Sequence, residues 1–192
     1  MARNFREIAI PTRTDCLALM EHYNMLPHIR EHSLMVTEVA LRMGASLQEA
    51  GIPLHLPLIE AGALLHDIGK TSCLGTSHNH AEWGARMVNA EGYPEVAGLV
   101  REHIVTVDGD DPAVIREAEV VNYADKRVLH TQVVTLAVRF ADLKERYAQS
   151  EEARRRLASF EEKARRLETK LFFHLNCTPV DLLKLNHARE EP

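Results

Sequence analysis

The stretch Leu64-Leu65-His66-Asp67-Ile68-Gly69-Lys70 sets an imidazole beside a carboxylate at the end of an otherwise apolar segment. Residues 56–65 carry one charge, Glu60, so the spacing predicts a helix over about 56–68 that is apolar on nearly every side and belongs inside a bundle. Burying His and Asp there is costly unless something pairs with them or binds them. Other segments repeat the pattern. His32 lies three residues after Ile29 and four before Val36, His103 three after Val100, and Asp125 four after Val121, each on an inward stripe, while His80 opens a further helix. A single inward His is more often a hydrogen-bonded core residue than a ligand, but a lone buried carboxylate is strongly disfavoured. Mutual hydrogen bonds would satisfy two or three of these six groups, whereas a divalent metal would satisfy all. Neutral imidazoles with carboxylates suit iron, manganese, cobalt, nickel or zinc better than magnesium or calcium. Six ligands exceed what one open catalytic metal requires, so the count points to two.

The elements that must position these groups read almost entirely as helix. Thr14 caps a helix over about 15–24 with Leu17, Met20 and Tyr23 on one face, and a second runs from about 28 to Gly44. Residues 44–55 read as a linker, and 69–79, small and polar, as a loop. Asn79 or Ser77 caps a helix over 80–91 closed by Gly92, and Pro94 starts another to about 104. Val107–Asp111 reads as a turn, Asp111-Pro112 as a cap and first-turn proline, and the helix from there reaches about 129. Another helix covers about 131–149, and no period-2 strand stands against the helical pattern. Residues 150–174 form a long helix with Leu157, Phe160, Ala164, Leu167 and Leu171 as its stripe and a solvated charged face. A short last helix follows Thr178-Pro179. The reading is an all-α helical bundle over 1–149 with a C-terminal helical extension over 150–192. The stripe of that extension must pack either on the domain or against another subunit, as a homo-oligomer.

Bulk properties exclude several classes. The 192 residues, 45% hydrophobic and 27% charged, fit a soluble domain with a proper core. A net charge of −5 speaks against a nucleic-acid partner, and no stretch approaches the length of a membrane span. Cys16, Cys73 and Cys177 are far apart and odd in number, as for reduced thiols in a cytoplasm.

The ordered set His32, His66-Asp67, His80, His103 and Asp125 resembles the HD-domain superfamily of metal-dependent phosphohydrolases. So do its surroundings: Glu31-His32-Ser33-Leu34, Leu65-His66-Asp67-Ile68-Gly69-Lys70, His80-Ala81-Glu82-Trp83-Gly84-Ala85 and Ala124-Asp125-Lys126. The resemblance covers roughly residues 28–130. It implies an all-α HD-domain bundle in which His32, His66, Asp67 and Asp125 hold a first metal, and His80 and His103 complete a second bridged by Asp67. His80 is preferred to His78 because it has glycine four residues on. Gly92-Tyr93-Pro94 is like the cyclic-di-GMP phosphodiesterase branch, but the rest of that branch's context is missing, and a helix stop followed by a helix start explains the tripeptide. Two divalent ions would lower the pKa of a bridging water that attacks phosphorus in line. Asp67 and Lys70 are then the catalytic candidates, and Lys70, Lys126 and Arg127 the candidate substrate contacts.

The function so implied is hydrolysis of a phosphate ester or anhydride in a small, nucleotide-like substrate. The same ligands also serve di-iron oxygenases on this fold, and a regulatory or binding HD module with a remnant metal site is the third reading.

Overall fold

The computed structural model describes residues 9–106 and 114–189. Helix α1 (Arg13–His22) opens at Thr12, whose hydroxyl accepts from the Asp15 amide while the Asp15 carboxylate accepts from the Thr12 amide. A reciprocal cap needs an acidic group three residues on, which Thr12 has and Thr14 lacks. The helix therefore starts two residues before the predicted position, and Cys16 and Met20 are its buried face, with Leu17 exposed.

Helix α2 (Pro27–Glu49) runs straight through Gly44, where the sequence reading ends it. A Cβ at Gly44 would stand 2.8 Å from Leu56 Cδ2 and 3.1 Å from Ile59 Cδ1. The glycine is there so that α3 can come close, and the packing it allows offsets its poor helix propensity of about 1 kcal/mol. Helix α3 (Leu56–Leu65) is the inner helix that its composition predicts, with seven of its residues buried, from Leu58 to Leu65. It touches α1 and α2 and, further along the chain, α6 and α7. It ends three residues early, and His66–Gly69 make a turn into the one-turn helix α4 (Lys70–Cys73), in a segment that reads as loop.

Asn79 caps α5 (His80–Ala90) by accepting from the Ala81 amide, and Gly92 at φ 90° reverses the chain into α6 (Pro94–Glu102). The predicted turn over Val107–Asp111 and the Asp111-Pro112 cap lie outside the described residues. Helix α7 (Glu117–Lys126) stops short of the predicted 129 and gives way to a hairpin, β1 (Val128–Leu129) and β2 (Gln132–Val133), with Val128 opposite Val133. His130 turns it at φ 55°. Two-residue strands are too short to show a period of two, so this hairpin is invisible to pattern reading. Helices α8 (Leu136–Tyr147) and α9 (Glu151–Phe172) follow, capped by Thr135 and Ser150. A 3-10 helix over Pro179–Arg189 ends the described chain.

The stripe of α9 is covered within the chain: Leu157, Ala164, Leu167 and Leu171 are buried, and the helix touches α7 and α8. Its outer face carries the i,i+4 pairs Glu161–Arg165 and Glu162–Arg166, as the charge pattern predicts. No helix among the described residues is long and apolar enough to cross a membrane.

A close backbone approach lies beside the His-Asp pair. A Cβ on Gly69 would meet Gly84 N and His80 O at 2.5 Å each, so the turn after α3 rests directly on the first turns of α5. Backbone atoms cannot step aside cheaply, so Gly69→Ala should cost about 1–3 kcal/mol through overpacking. A Cβ at Gly98, within α6, would meet nothing within 4 Å. Gly98→Ala should be neutral or stabilising by up to about 1 kcal/mol. Urea unfolding compares the two, and equal stabilities would refute the contact.

Candidate metal centre

Five elements bring the six singled-out residues together. His32 comes from the second turn of α2, His66 and Asp67 from the turn after α3, and His80 from the start of α5. His103 follows α6 and Asp125 sits in the last turn of α7. His32, His66, Asp67 and His103 are all buried. Asp67 stands between two sets of donors. Its Oδ1 is 3.3 Å from His80 Nε2 and 3.7 Å from His103 Nε2, and its Oδ2 is 3.5 Å from His66 Nε2. Asp125 Oδ1 is 3.1 Å from His32 Nε2 and 3.7 Å from His66 Nε2. Two groups result, His32–His66–Asp67 and Asp67–His80–His103, each with its donor atoms within 4.8 Å of one another.

The second ring nitrogens reveal what these groups are arranged to do. His66 Nδ1 donates to Ala63 O at 2.7 Å and His103 Nδ1 to Val100 O at 2.6 Å, each reaching the carbonyl three residues back at a helix end. His32 Nδ1 donates to His130 O at 3.0 Å, a carbonyl presented by the hairpin turn. A carbonyl only accepts, so the proton of each neutral ring is fixed on Nδ1, and Nε2 is left with a bare lone pair. Those lone pairs face carboxylate oxygens, and His103 Nε2 also lies 3.3 Å from His80 Nε2. The buried His66 Nε2 has no hydrogen-bond partner among the described residues. Lone pairs and carboxylates converging in a buried space are mutually repulsive unless a cation, or added protons, lies between them. Backbone carbonyls on the far nitrogens are the second shell that a histidine-ligated metal needs. The donor set thus fits divalent transition-metal ions.

Electrostatics of the protein groups show the same strain. Burial works against a charged His66 ring, but Asp67 and Asp125 outweigh it and raise its pKa. Burial, with His66 close by, pushes His103 down to about 3, keeping that ring a neutral donor. The two ring centres lie 5.1 Å apart, so they resist being charged together. Burial opposes ionisation of Asp67 and Asp125 too, yet the surrounding imidazoles and lysines hold both carboxyls well below the usual range.

The remaining candidates separate. Lys70 Nζ donates to Asp67 Oδ2 at 2.7 Å, and its side chain is 41% exposed on a pocket beside the first group. Lys126 does not line that pocket: its Nζ donates to His103 O and Asn122 O, and burial pulls its pKa down to about 8. With Asn122, whose amide also donates to His103 O, it clamps the backbone that carries His103. Arg127 is fully buried and faces away. Its guanidinium donates to Tyr123 Oη, Glu168, Val134 O and Pro179 O, which makes it the anchor of the C-terminal helices and not a substrate contact. Consecutive helix positions point in different directions, and here Asp125 takes the inward one. His78 is exposed and stacks on Trp83, away from the ligand groups. The sequence reading misses His130, His28, Arg139 and Arg146, which border the pocket. Arg139 and Arg146, seven apart on α8, face one way, a signal available only once the helix register is fixed.

Comparison with known proteins follows the same residues. The HD domain family matches residues 29–129. A tRNA (cytidine(56)-2'-O)-methyltransferase of Thermoplasma volcanium is 33% identical over 96 residues, covering 50% of this chain and 26% of its own length. The protein of the same name from Picrophilus torridus is 33% identical over 95 residues, again 26% of its length. An uncharacterized protein of Methanocaldococcus jannaschii is 31% identical over 75 residues, 39% of this chain and 43% of its own. The chain thus spans less than half the length of each of these relatives. No solved structure matches significantly.

Two outcomes should follow. Elemental analysis of protein loaded with manganese or iron should find about two ions per chain, about one in His103→Asn, and almost none in Asp67→Asn, because the aspartate serves both groups. Retention of both ions by Asp67→Asn would refute the shared carboxylate. Arg127→Gln should lower unfolding free energy by roughly 3–5 kcal/mol, as for a broken buried ion pair, without changing metal content. An unaltered urea midpoint would instead return Arg127 to the list of substrate contacts.

Proposed function

We propose that this chain, which belongs to the HD-domain family, is a metal-dependent phosphohydrolase cleaving a phosphate ester or anhydride of a small, nucleotide-like substrate. The observation that carries the proposal is the orientation of the buried histidines. His32, His66 and His103 each tie Nδ1 to a backbone carbonyl and turn a bare Nε2 toward Asp67 or Asp125. His32, His66, Asp67 and Asp125 would hold one divalent ion, and Asp67, His80 and His103 the second. Such a pair of ions supplies Lewis acidity that lowers the pKa of a water and neutralises charge on phosphoryl oxygens.

The chain's own groups do the rest. Asp67, held by Lys70 through Oδ2, stays ionised and fixed between the two sets of imidazoles. Lys70, half-open to the pocket, is placed to donate to a phosphoryl oxygen while keeping Asp67 in position. The Lys126 and Asn122 clamp on His103 O steadies the backbone that carries that ring, and the Nδ1 bond to Val100 O sets the ring's orientation. A net charge of −5 supports a small substrate over RNA, and the relatives named as tRNA methyltransferases share only about a quarter of their length with this chain.

Phosphate release from a panel of nucleotides and dinucleotides tests the proposal, using anaerobically purified protein with manganese or ferrous iron. Turnover without oxygen is expected. Asp67→Ala should reduce it to background, and Lys70→Met should lower it about 10²–10³-fold with metal content retained. No turnover across the panel from metal-loaded protein would overturn the hydrolase reading, and strict oxygen dependence would point to oxygenase chemistry.

A further inference from the structure

The pocket beside the first ligand group has a volume of about 260 Å³ and is bordered by His32, Asp67 and Lys70 on one side and by Arg139 and Arg146 of α8 on another. Both arginines lie beyond the segment that matches the HD domain family, so this wall is supplied by the chain's own α8. Lys70 divides its donors between Asp67 and the first phosphate. Arg139 and Arg146 both pair with one carboxylate, that of Asp142. Arg139 Nη1 donates to Asp142 at 3.3 Å, and its Nε, closed to solvent, has no hydrogen-bond partner among the described residues. A cationic N–H in that state is costly, so this guanidinium gains from any shift toward an acceptor in the pocket that it borders. The Arg139 side chain is 12% exposed, and its charge is felt at Asp125, Lys70 and Lys126, so it sits close to the ligand groups. Two guanidinium groups on one wall of a pocket, opposite an ammonium and the ligand groups, form a cationic surface of the kind that holds an oxyanion.

We infer that α8 carries an oxyanion subsite, in which Arg139 and Arg146 hold a second phosphate adjacent to the one at the ligand groups, so that the preferred substrates are phosphoanhydrides and not simple monoesters. The first phosphate rests on the phosphohydrolase reading above; the second rests on Arg139, Arg146 and Asp142. The pocket is smaller than the roughly 300–1,000 Å³ that encloses a whole drug-sized ligand, so it takes the phosphates and leaves the organic remainder at its mouth. Hydrolysis breaks the bond from the reacting phosphorus to the bridging oxygen. Water supplies the new P–O bond, its proton passes to solvent, and the bridging oxygen departs on the second phosphate, where the arginines offset the charge it gains.

Calorimetric titration of metal-loaded protein tests this, with free metal in excess so that the ligand cannot strip the site. Methylenediphosphonate, whose P–C–P link resists hydrolysis, is compared with methylphosphonate. The wild type should bind the diphosphonate at least about tenfold more tightly. Arg146→Gln, at a side chain 42% exposed and so tolerant of change, should remove most of that preference, as should Arg139→Lys. Metal content and methylphosphonate affinity should stay as they were. Absence of a preference in the wild type, a preference that survives both variants, or an equal loss for both ligands would each overturn the subsite. A protein that shows the preference but hydrolyses nothing retains the subsite and loses the hydrolase reading.

Discussion

An imidazole whose Nδ1 proton is tied to a backbone carbonyl can use Nε2 only as an acceptor, and that constraint governs the centre of this molecule. His66 and His103 satisfy it locally, each at a helix end and each through the carbonyl three residues back. His32 satisfies it at long range, through His130 at the tip of a hairpin almost a hundred residues away in sequence. Once these protons are fixed, three lone pairs and two carboxylates face the same buried volume. Hydrogen bonding within the protein cannot reconcile acceptors with acceptors. Protonation could, but the rings resist it together: carboxylates push His66 up while burial drives His103 down. A cation reconciles all of them at once.

Close approach is what makes the convergence possible. The apolar α3 runs at the middle of the bundle, and glycines stand where other helices cross it or its outgoing turn. Gly44 admits α3 onto α2, and a Cβ on Gly62 would stand 2.5 Å from Leu99 of α6, the helix that delivers His103. Gly69 and Gly84 bring the turn carrying Asp67 against the start of α5, which delivers His80. Side chains at these points would push the helices apart by more than the few tenths of an ångström that ligand geometry allows. The local stability forgone by placing glycine in helices is returned as positional precision at Asp67.

Much of this is legible in the amino-acid sequence. The inward registers of His32, His103 and Asp125 follow from spacing to Ile29, Val100 and Val121, and the near-absence of charge in 56–65 marks α3 as the inner helix. Three kinds of feature are not. Glycines that serve packing read like glycines that end helices, so Gly44 misleads. The hairpin is too short for periodicity, so the carbonyl that orients His32 could not be assigned. Side-chain direction at a helix end depends on which turn comes last, so Lys126 and Arg127, adjacent to Asp125, look like pocket residues until α7 is seen to stop at Lys126.

Arg127 also changes how the C-terminal helices relate to the centre. Its guanidinium joins α9 through Glu168, the 3-10 helix through Pro179 O and the strand end through Val134 O, from a position two residues beyond Asp125. Tyr123, of α7, donates to the same Glu168 oxygen, and Lys170 of α9 pairs with Glu119. Helix α7 is therefore held along its length by α9 while its inner face presents Asp125 and clamps His103 through Asn122 and Lys126. A buried charge network of this kind contributes little net stability compared with apolar packing, because desolvation offsets most of its attraction. What it can supply is register, since alternative rotations of α7 would leave Arg127 unpaired. The acidic ligand and the clamp that steadies a second ligand ride on one helix, so fixing that rotation fixes both sides of the centre together.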